Sequence, residues 1–330
     1  MNLEQVYSPI EKELGRVDSL IDQSLKRTRY KSILELNKYL LESKGKRIRP
    51  ALVIISAKAC GHAPSTISSA LSKIASAVEL IHVASLVHDD IIDDSALRHH
   101  KPTFNVKFGQ DVAIAFGDYL YAIAFDLIAS CKNTDILSCI AGASRSLCEG
   151  ELIQVCERDN LSLLKERYLL IVKKKTAGLF AASCQVGAIL AQSRKVNQDA
   201  LKDYGSNLGI AFQIVDDCRD LTGSKEKLGK NPGLDFKTGE LTLPVLNLIL
   251  QEPKEKKNII ELLRNQGDER AFRNLGQKFL NSSAFGKTKQ EAFLYIRKAK
   301  DSLGSLEDSA YRRSLSALAD YVAVKIETGY

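Results

Sequence analysis

Two sets of carboxylates stand at helical spacing in this chain. In ELIHVASLVHDDIIDDSALRHHKPT (79–103), Asp89 and Asp93 are i,i+4 neighbours, and Asp90 reaches both Asp93 and Asp94. In GIAFQIVDDCRDLTG (209–223), Asp216 and Asp217 repeat the pattern with Asp220, and Gln213 lies one turn earlier on the same face. Each set ends an apolar run. Like charges at this spacing destabilise a helix, and burying them unpaired costs more. A divalent cation offsets both costs. Magnesium prefers one or two carboxylates plus phosphate oxygens to a full protein cage. Two such patches facing one another could therefore grip a diphosphate through bridging ions, which would polarise it as a leaving group.

Such a group also needs cations. KGKRIRP (44–50) places Lys44, Lys46, Arg47 and Arg49 just before an apolar segment that starts ALVIIS. A helix N-terminus favours negative charge, so a basic cluster there points to an anionic partner. Arg98 follows the first acidic set, Lys173–Lys175 precede Thr176, and Lys230 and Lys237 lie in a glycine-rich stretch. His82 sits two turns before Asp89. His88 touches the first set in sequence and reads as a structural partner.

Helical elements must position these groups. Ile33, Leu36, Leu40 and Leu41 form an apolar stripe, as do Leu315, Leu318, Ala319, Val322 and Ile326. Long apolar runs at 67–92, 111–130, 135–156, 166–192 and 199–222 predict further helices. Breaks are expected at 95–103, at 281–288 and, most clearly, at 223–241, where four glycines suit a closing lid. No linker or repeat divides the chain, so residues 1–330 are expected to form a single all-α domain. The net charge of +7 on 330 residues is modest, and no aromatic-interleaved basic stripe indicates nucleic acid. Seven cysteines without a CxxC pair suggest reduced thiols and a cytoplasmic setting. The apolar stretch Val112–Cys131 carries Asp118 and Asp126, which reads as a soluble helix, so no transmembrane segment is expected.

In order along the chain, GKRIRP, HVASLVHDDIID, the PT turn, GDYL, EGELIQ, KTAGLF, FQIVDDCRD and TLP resemble the trans-polyprenyl diphosphate synthase family over nearly the whole length. The resemblance implies a large helical bundle of the isoprenoid synthase type around a central cavity. It implies ionisation of an allylic diphosphate, attack by isopentenyl diphosphate, and loss of a proton. Asp89, Asp90, Asp93, Asp216, Asp217 and Asp220 would hold three Mg2+ ions. Arg98, Lys175 and Lys230 would contact the allylic diphosphate, and Lys46, Arg49 and His82 the isopentenyl diphosphate. Thr176 and Gln213 would line the reacting carbons. A homodimer is implied as well.

Two positions depart from the family's pattern. His99 follows Arg98 where an arginine is usual, and Glu240 precedes LTLP where a lysine is frequent. The first weakens a bidentate anion contact; the second removes a cation and adds an anion. Ala84 and Ser85, one turn before Asp89, are small, so growth beyond fifteen carbons is expected, with Ile81, Tyr121 or Phe125 as the floor of the product tunnel. The alternatives are a class I terpene cyclase, which needs no isopentenyl site, and an inactive partner subunit of a heteromeric synthase, which would not retain two costly carboxylate sets.

Overall fold

The computed structural model describes residues 2–43, 45–61, 67–158, 160, 164–223, 238–264 and 269–328. Its helices are α1 (Leu3–Tyr7), α2 (Glu11–Leu25), α3 (Lys31–Leu41), α4 (Ile48–Ala59), α5 (Ile67–Ile92), α6 (Phe104–Phe108), α7 (Gln110–Ala129), α8 (Thr134–Cys156), α9 (Lys165–Val172), α10 (Gly178–Leu190), α11 (Lys195–Thr222), α12 (Leu243–Gln251), α13 (Lys256–Arg264), α14 (Glu269–Leu280), α15 (Ser283–Ser302) and α16 (Ala310–Thr328). The architecture is all-α. Among the described residues the only strands form a two-residue hairpin, Leu97–Arg98 with Lys101–Pro102.

Helices α5 and α10 occupy the centre because they are apolar on nearly every face. Ile74, Val78 and Ile81 of α5 and Phe180, Cys184 and Ala188 of α10 are fully buried. Each such aliphatic or aromatic side chain contributes roughly 1.5–3 kcal/mol. Around them pack α4, α7, α8 and α11, with α15 and α16 outside. Glycines set the closest approaches. A Cβ on Gly187 would lie 2.3 Å from the Val53 carbonyl of α4, and one on Gly205 would lie 2.5 Å from the Phe180 carbonyl.

Two boundaries differ from the sequence reading. The expected break at 281–288 is only Asn281–Ser282, because the Ser282 hydroxyl caps α15 by accepting from the Ala284 amide at 3.2 Å. Helix α4 begins at Ile48, so Arg49 and Pro50 lie in its first turn. The 95–103 break is the hairpin. His99 and His100 occupy its tip at φ +51° and +63°, as a two-residue turn of this hand requires. Left-handed backbone costs an L-residue roughly 1–2 kcal/mol. The hairpin is held from outside by Tyr39, whose hydroxyl donates to the Pro102 carbonyl at 2.7 Å.

Helices Ser68–Ile92 and Gln110–Ala129 are long and apolar enough to cross a membrane by composition alone. The first has 67% of its apolar window buried in the bundle and the second 39%.

Candidate active site

The two acidic sets lie at the C-terminal ends of α5 and α11, and the fold brings those ends to one cleft. Asp93 and Asp217 line it together with Gln154, Tyr168, Lys175, Thr176, Gln213 and Glu240. Arg98 feels Asp90 and Asp89 from one set and Asp216 from the other.

Lys175 and Thr176 enter from a π-helical turn, Lys173–Ala177, between α9 and α10. Such a turn is a single wide coil that re-aims side chains. Two glycines admit it. A Cβ on Gly150 of α8 would stand 2.5 Å from the Lys175 amide nitrogen, and one on Gly209 of α11 would stand 2.7 Å from the Ala177 Cα. Of the three lysines only Lys175 turns inward. Lys174 pairs with Glu149 at 2.6 Å on the outside, and Lys173 is exposed. Lys175 Nζ meets Glu151 at 2.5 Å. Burial opposes its charge, but Asp89, Glu151 and Glu240 outweigh that and raise its pKa.

A hydrogen-bonded chain follows from Thr176. Its hydroxyl donates to Gln213 Oε1 at 2.8 Å, Gln213 Nε2 donates to Asp217 Oδ1 at 2.8 Å, and Tyr168 donates its hydroxyl to Asp217 Oδ2 at 2.5 Å. Gln213 is thereby fixed in one orientation.

The six expected metal ligands divide in this charge state. Asp90 is gripped by Arg98, with Nε 3.0 Å from both carboxylate oxygens and Nη2 2.8 Å from Oδ1. Asp93 accepts from Arg158 at 2.6 Å, and both oxygens of Asp217 are engaged as above. Asp220 is buried. The side chains of Asp89 and Asp216, one from each set, make no hydrogen bond or ion pair among the described residues. Burial pushes Asp89 up to about 7, with Glu151 and Asp93 adding to the rise and Lys175 and Arg98 opposing it. Burial likewise raises Asp217 to about 7, against its two hydrogen bonds. Carboxylates desolvated in this way and not bonded to a cation fit divalent ions. Among the described residues no three His, Cys, Asp or Glu side chains converge on one point. Each ion would therefore rest on one or two carboxylates and on substrate oxygens.

Of the residues expected at isopentenyl diphosphate, Arg49 and His82 lie close to one another. His82 feels Arg49, Arg98 and Arg47, and burial with those charges lowers its pKa well below the usual value, so it is neutral. Arg49 has its guanidinium 4.7 Å above the Phe180 ring, while its buried Nε lacks a hydrogen-bond partner among the described residues. Burial lowers its pKa to about 10, against Glu79 and Asp89. Lys46 is lowered by desolvation and by Arg219. A buried cation with an unmet donor is suited to an anion. Arg47 belongs elsewhere: in left-handed backbone at φ +54°, it pairs with Asp18 and Glu79, both at 2.8 Å. His99 is at the rim, and desolvation with Arg98 and Lys46 lowers its pKa. Without a bound anion the imidazole is thus neutral, in keeping with the weakened anion contact expected where histidine replaces arginine.

Lys44, Lys230 and Lys237, and most of the expected lid (224–237), lie outside the described residues. Ile81 and Ala84 are fully buried and Ser85 nearly so, its hydroxyl donating to the His82 carbonyl at 2.8 Å. Tyr121 sits beside His88, ring centroids 6.1 Å apart, with its pKa raised by burial and by Cys148 and Asp89. Phe125 is half-buried one turn further along α7. His88 faces Gly117 and the Ile114 carbonyl, 3.2 Å from its Nε2. Sequence reading gave no role to Glu151, Gln154, Arg158 or Tyr168. Glu151 and Gln154 stand within the quoted EGELIQ, and that was their only signal.

These pKa values predict a pH signature. A carboxyl raised from about 4 to about 7 on folding binds more protons folded than unfolded in between. Stability of the ligand-free protein therefore falls as pH rises through that window. Mg2+ with inorganic diphosphate is expected to raise the melting temperature more at about pH 8 than at about pH 6. Equal shifts at both would contradict it.

An all-helical bundle with two carboxylate patches and a basic pocket at one cleft defines a protein that handles diphosphate esters in an apolar interior. The comparisons with known proteins agree. The polyprenyl synthetase family pattern matches residues 30–276. The chain is 32% identical to an octaprenyl diphosphate synthase of Escherichia coli, over 98% of this chain and 99% of that protein. It is 33% identical to a geranylgeranyl diphosphate synthase of Methanosarcina mazei, over 98% of each. Among solved structures, a polyprenyl synthase from Caulobacter crescentus complexed with calcium and isoprenyl diphosphate superposes with TM-score 0.92 at 34% identity, covering 98% of this chain and 97% of that one. The chain belongs to the polyprenyl synthetase family. It is a trans-prenyltransferase, condensing an allylic diphosphate with isopentenyl diphosphate.

Proposed function

We propose that the cleft between α5 and α11 ionises an allylic diphosphate held by Mg2+, three ions in all, and transfers the prenyl group to isopentenyl diphosphate held by Lys46, Arg49 and His82. The observation that carries this is the pair Asp89 and Asp216, one from each acidic set, both near Arg98 and both without a bonded partner among the described residues. Bound Mg2+ supplies Lewis acidity to the departing diphosphate. The chain's own groups do the rest. Lys175 and Arg98 hold charge on the leaving side. Arg49, desolvated and with an Nε that has no partner among the described residues, anchors the second diphosphate. The Thr176 and Gln213 oxygens set dipoles toward the cation-bearing side of the cleft. Ile171, Val172 and Leu241 on the cleft wall exclude water that would quench a cation. Diphosphate release that requires isopentenyl diphosphate supports transfer; release without it favours a cyclase.

The product is read as longer than fifteen carbons, because Ala84 and Ser85 present no bulk one turn below Asp89. Ser85→Phe is expected to shorten it, as read by chromatography. Unchanged chain length in a protein that still melts cooperatively would remove Ser85 from the tunnel. Overpacking alone costs about 1–3 kcal/mol and would not alter product length.

Residues 1–330 are read as one catalytic domain working as a homodimer. Exposed apolar side chains on α7 (Val112, Ile114) and α8 (Leu137, Leu152, Val155), with Leu152 65% exposed, support a second copy as the cover. Sedimentation at the monomer mass would remove this assignment. The seven free cysteines support a cytoplasmic setting.

A further inference from the structure

Glu240 reads from sequence as a lost cation beside the diphosphate. The structure gives it a partner. Arg158, just beyond the end of α8, donates to Glu240 Oε1 from Nε at 3.0 Å and from Nη2 at 2.9 Å. The same Nη2 donates to Asp93 Oδ1 at 2.6 Å, and Nη1 donates to the Ile92 carbonyl at 3.2 Å. Gln154, one turn back on α8, donates its amide to the other oxygen of Glu240. One guanidinium thus ties together the end of α5, the end of α8 and the segment before α12.

The orientation matters as much as the bonds. Asp93, Gln154 and Glu240 line the cleft, whereas Arg158 is not among its lining residues. Arg158 holds Asp93 through one oxygen, Oδ1, which leaves Oδ2 to be offered to an ion. A planar fork can fix a carboxylate in this way; an ammonium cannot. Outer partners that orient ligand carboxylates typically change metal affinity about 10–100-fold when removed.

We propose that Arg158 is a positioning residue for Asp93, and that Glu240, braced by Gln154, holds Arg158 in place. Glu240 is then half of a compensated pair and not a repulsive charge in the diphosphate site. This rests on the reading of the cleft as a metal–diphosphate site. It reverses the expectation from the family pattern, in which a lysine at 240 would improve anion binding. In Glu240→Lys, Arg158 loses its anchor and meets a like charge at 240, so Asp93 is no longer held in place.

Calorimetry with inorganic diphosphate at varied Mg2+ tests this without turnover. Arg158→Gln and Glu240→Gln are each expected to weaken Mg2+-dependent diphosphate binding about tenfold. The Arg158→Gln/Glu240→Gln pair should be no worse than either single variant, since both act through one contact. Glu240→Lys should bind more weakly than the unsubstituted protein, and Arg158→Lys should not restore affinity. Additive losses, full affinity in Arg158→Lys, or tighter binding in Glu240→Lys would overturn the proposal while leaving the diphosphate site intact. Failure of the unsubstituted protein to bind diphosphate with Mg2+ would overturn the site reading and this proposal together.

Discussion

Asp89→Asn is expected to lower kcat by on the order of 10³-fold while leaving the melting temperature of the ligand-free protein equal or higher. Both halves follow from one fact. Asp89 is a half-buried carboxylate with no bonded partner among the described residues, raised to about 7 chiefly by desolvation. Removing its charge relieves a desolvation cost, as is common where catalytic groups are held ready at the expense of stability. The amide cannot replace an anionic oxygen ligand, so the leaving diphosphate loses its charge compensation at that point. Steady-state kinetics and a thermal melt on the same preparation read both halves. A drop in stability, or a loss of less than about tenfold in kcat, would mean that Asp89 serves structure and not the reaction.

Lys175→Gln is expected to impair activity on the order of 10²-fold but with the opposite stability sign. Lys175 lies 2.5 Å from Glu151, with both side chains largely buried, and it offsets Asp89 and Glu240 as well. Breaking a buried pair leaves an uncompensated charge, typically costing about 3–5 kcal/mol. The loss should be largest at high pH, where Asp89 and Glu240, each raised to about 7 chiefly by burial, are ionised. Chemical denaturation at two pH values measures it. Unchanged stability would place Lys175 outside the carboxylate cluster.

The contrast between these variants shows what could be read from the chain alone. Helices such as Ile67–Ile92 were legible almost to the residue because their apolar spacing is local. So were the carboxylate sets, whose like charges at i,i+4 have no purely structural purpose. The hairpin tip was not, because nothing in Arg98-His99-His100 announces two left-handed residues. Nor was the division of the six aspartates. Arg158 is 65 residues from Asp93 and 82 from Glu240, so its clamp exists only once α5, α8 and the segment before α12 have met. Glu240, read in isolation, looked like a defect; its partner lay in a stretch without a motif. The basic cluster at 44–50 reads as a unit, yet Arg47 serves the Asp18 and Glu79 carboxylates, and of its described residues Lys46 and Arg49 remain for an anion. Spacing reveals which residues could share a face. It does not reveal which of them the folded chain has already paired.

The central claim is that both carboxylate sets act on one diphosphate through divalent ions. Crystals grown with Mn2+ and an unreactive allylic diphosphate analogue test it most directly, by the anomalous signal of manganese. The prediction is manganese at Asp89 on one side and at Asp216 on the other, around a single diphosphate beside Lys175 and Arg98. An analogue bound with manganese at one set only, or with none at either, would contradict it.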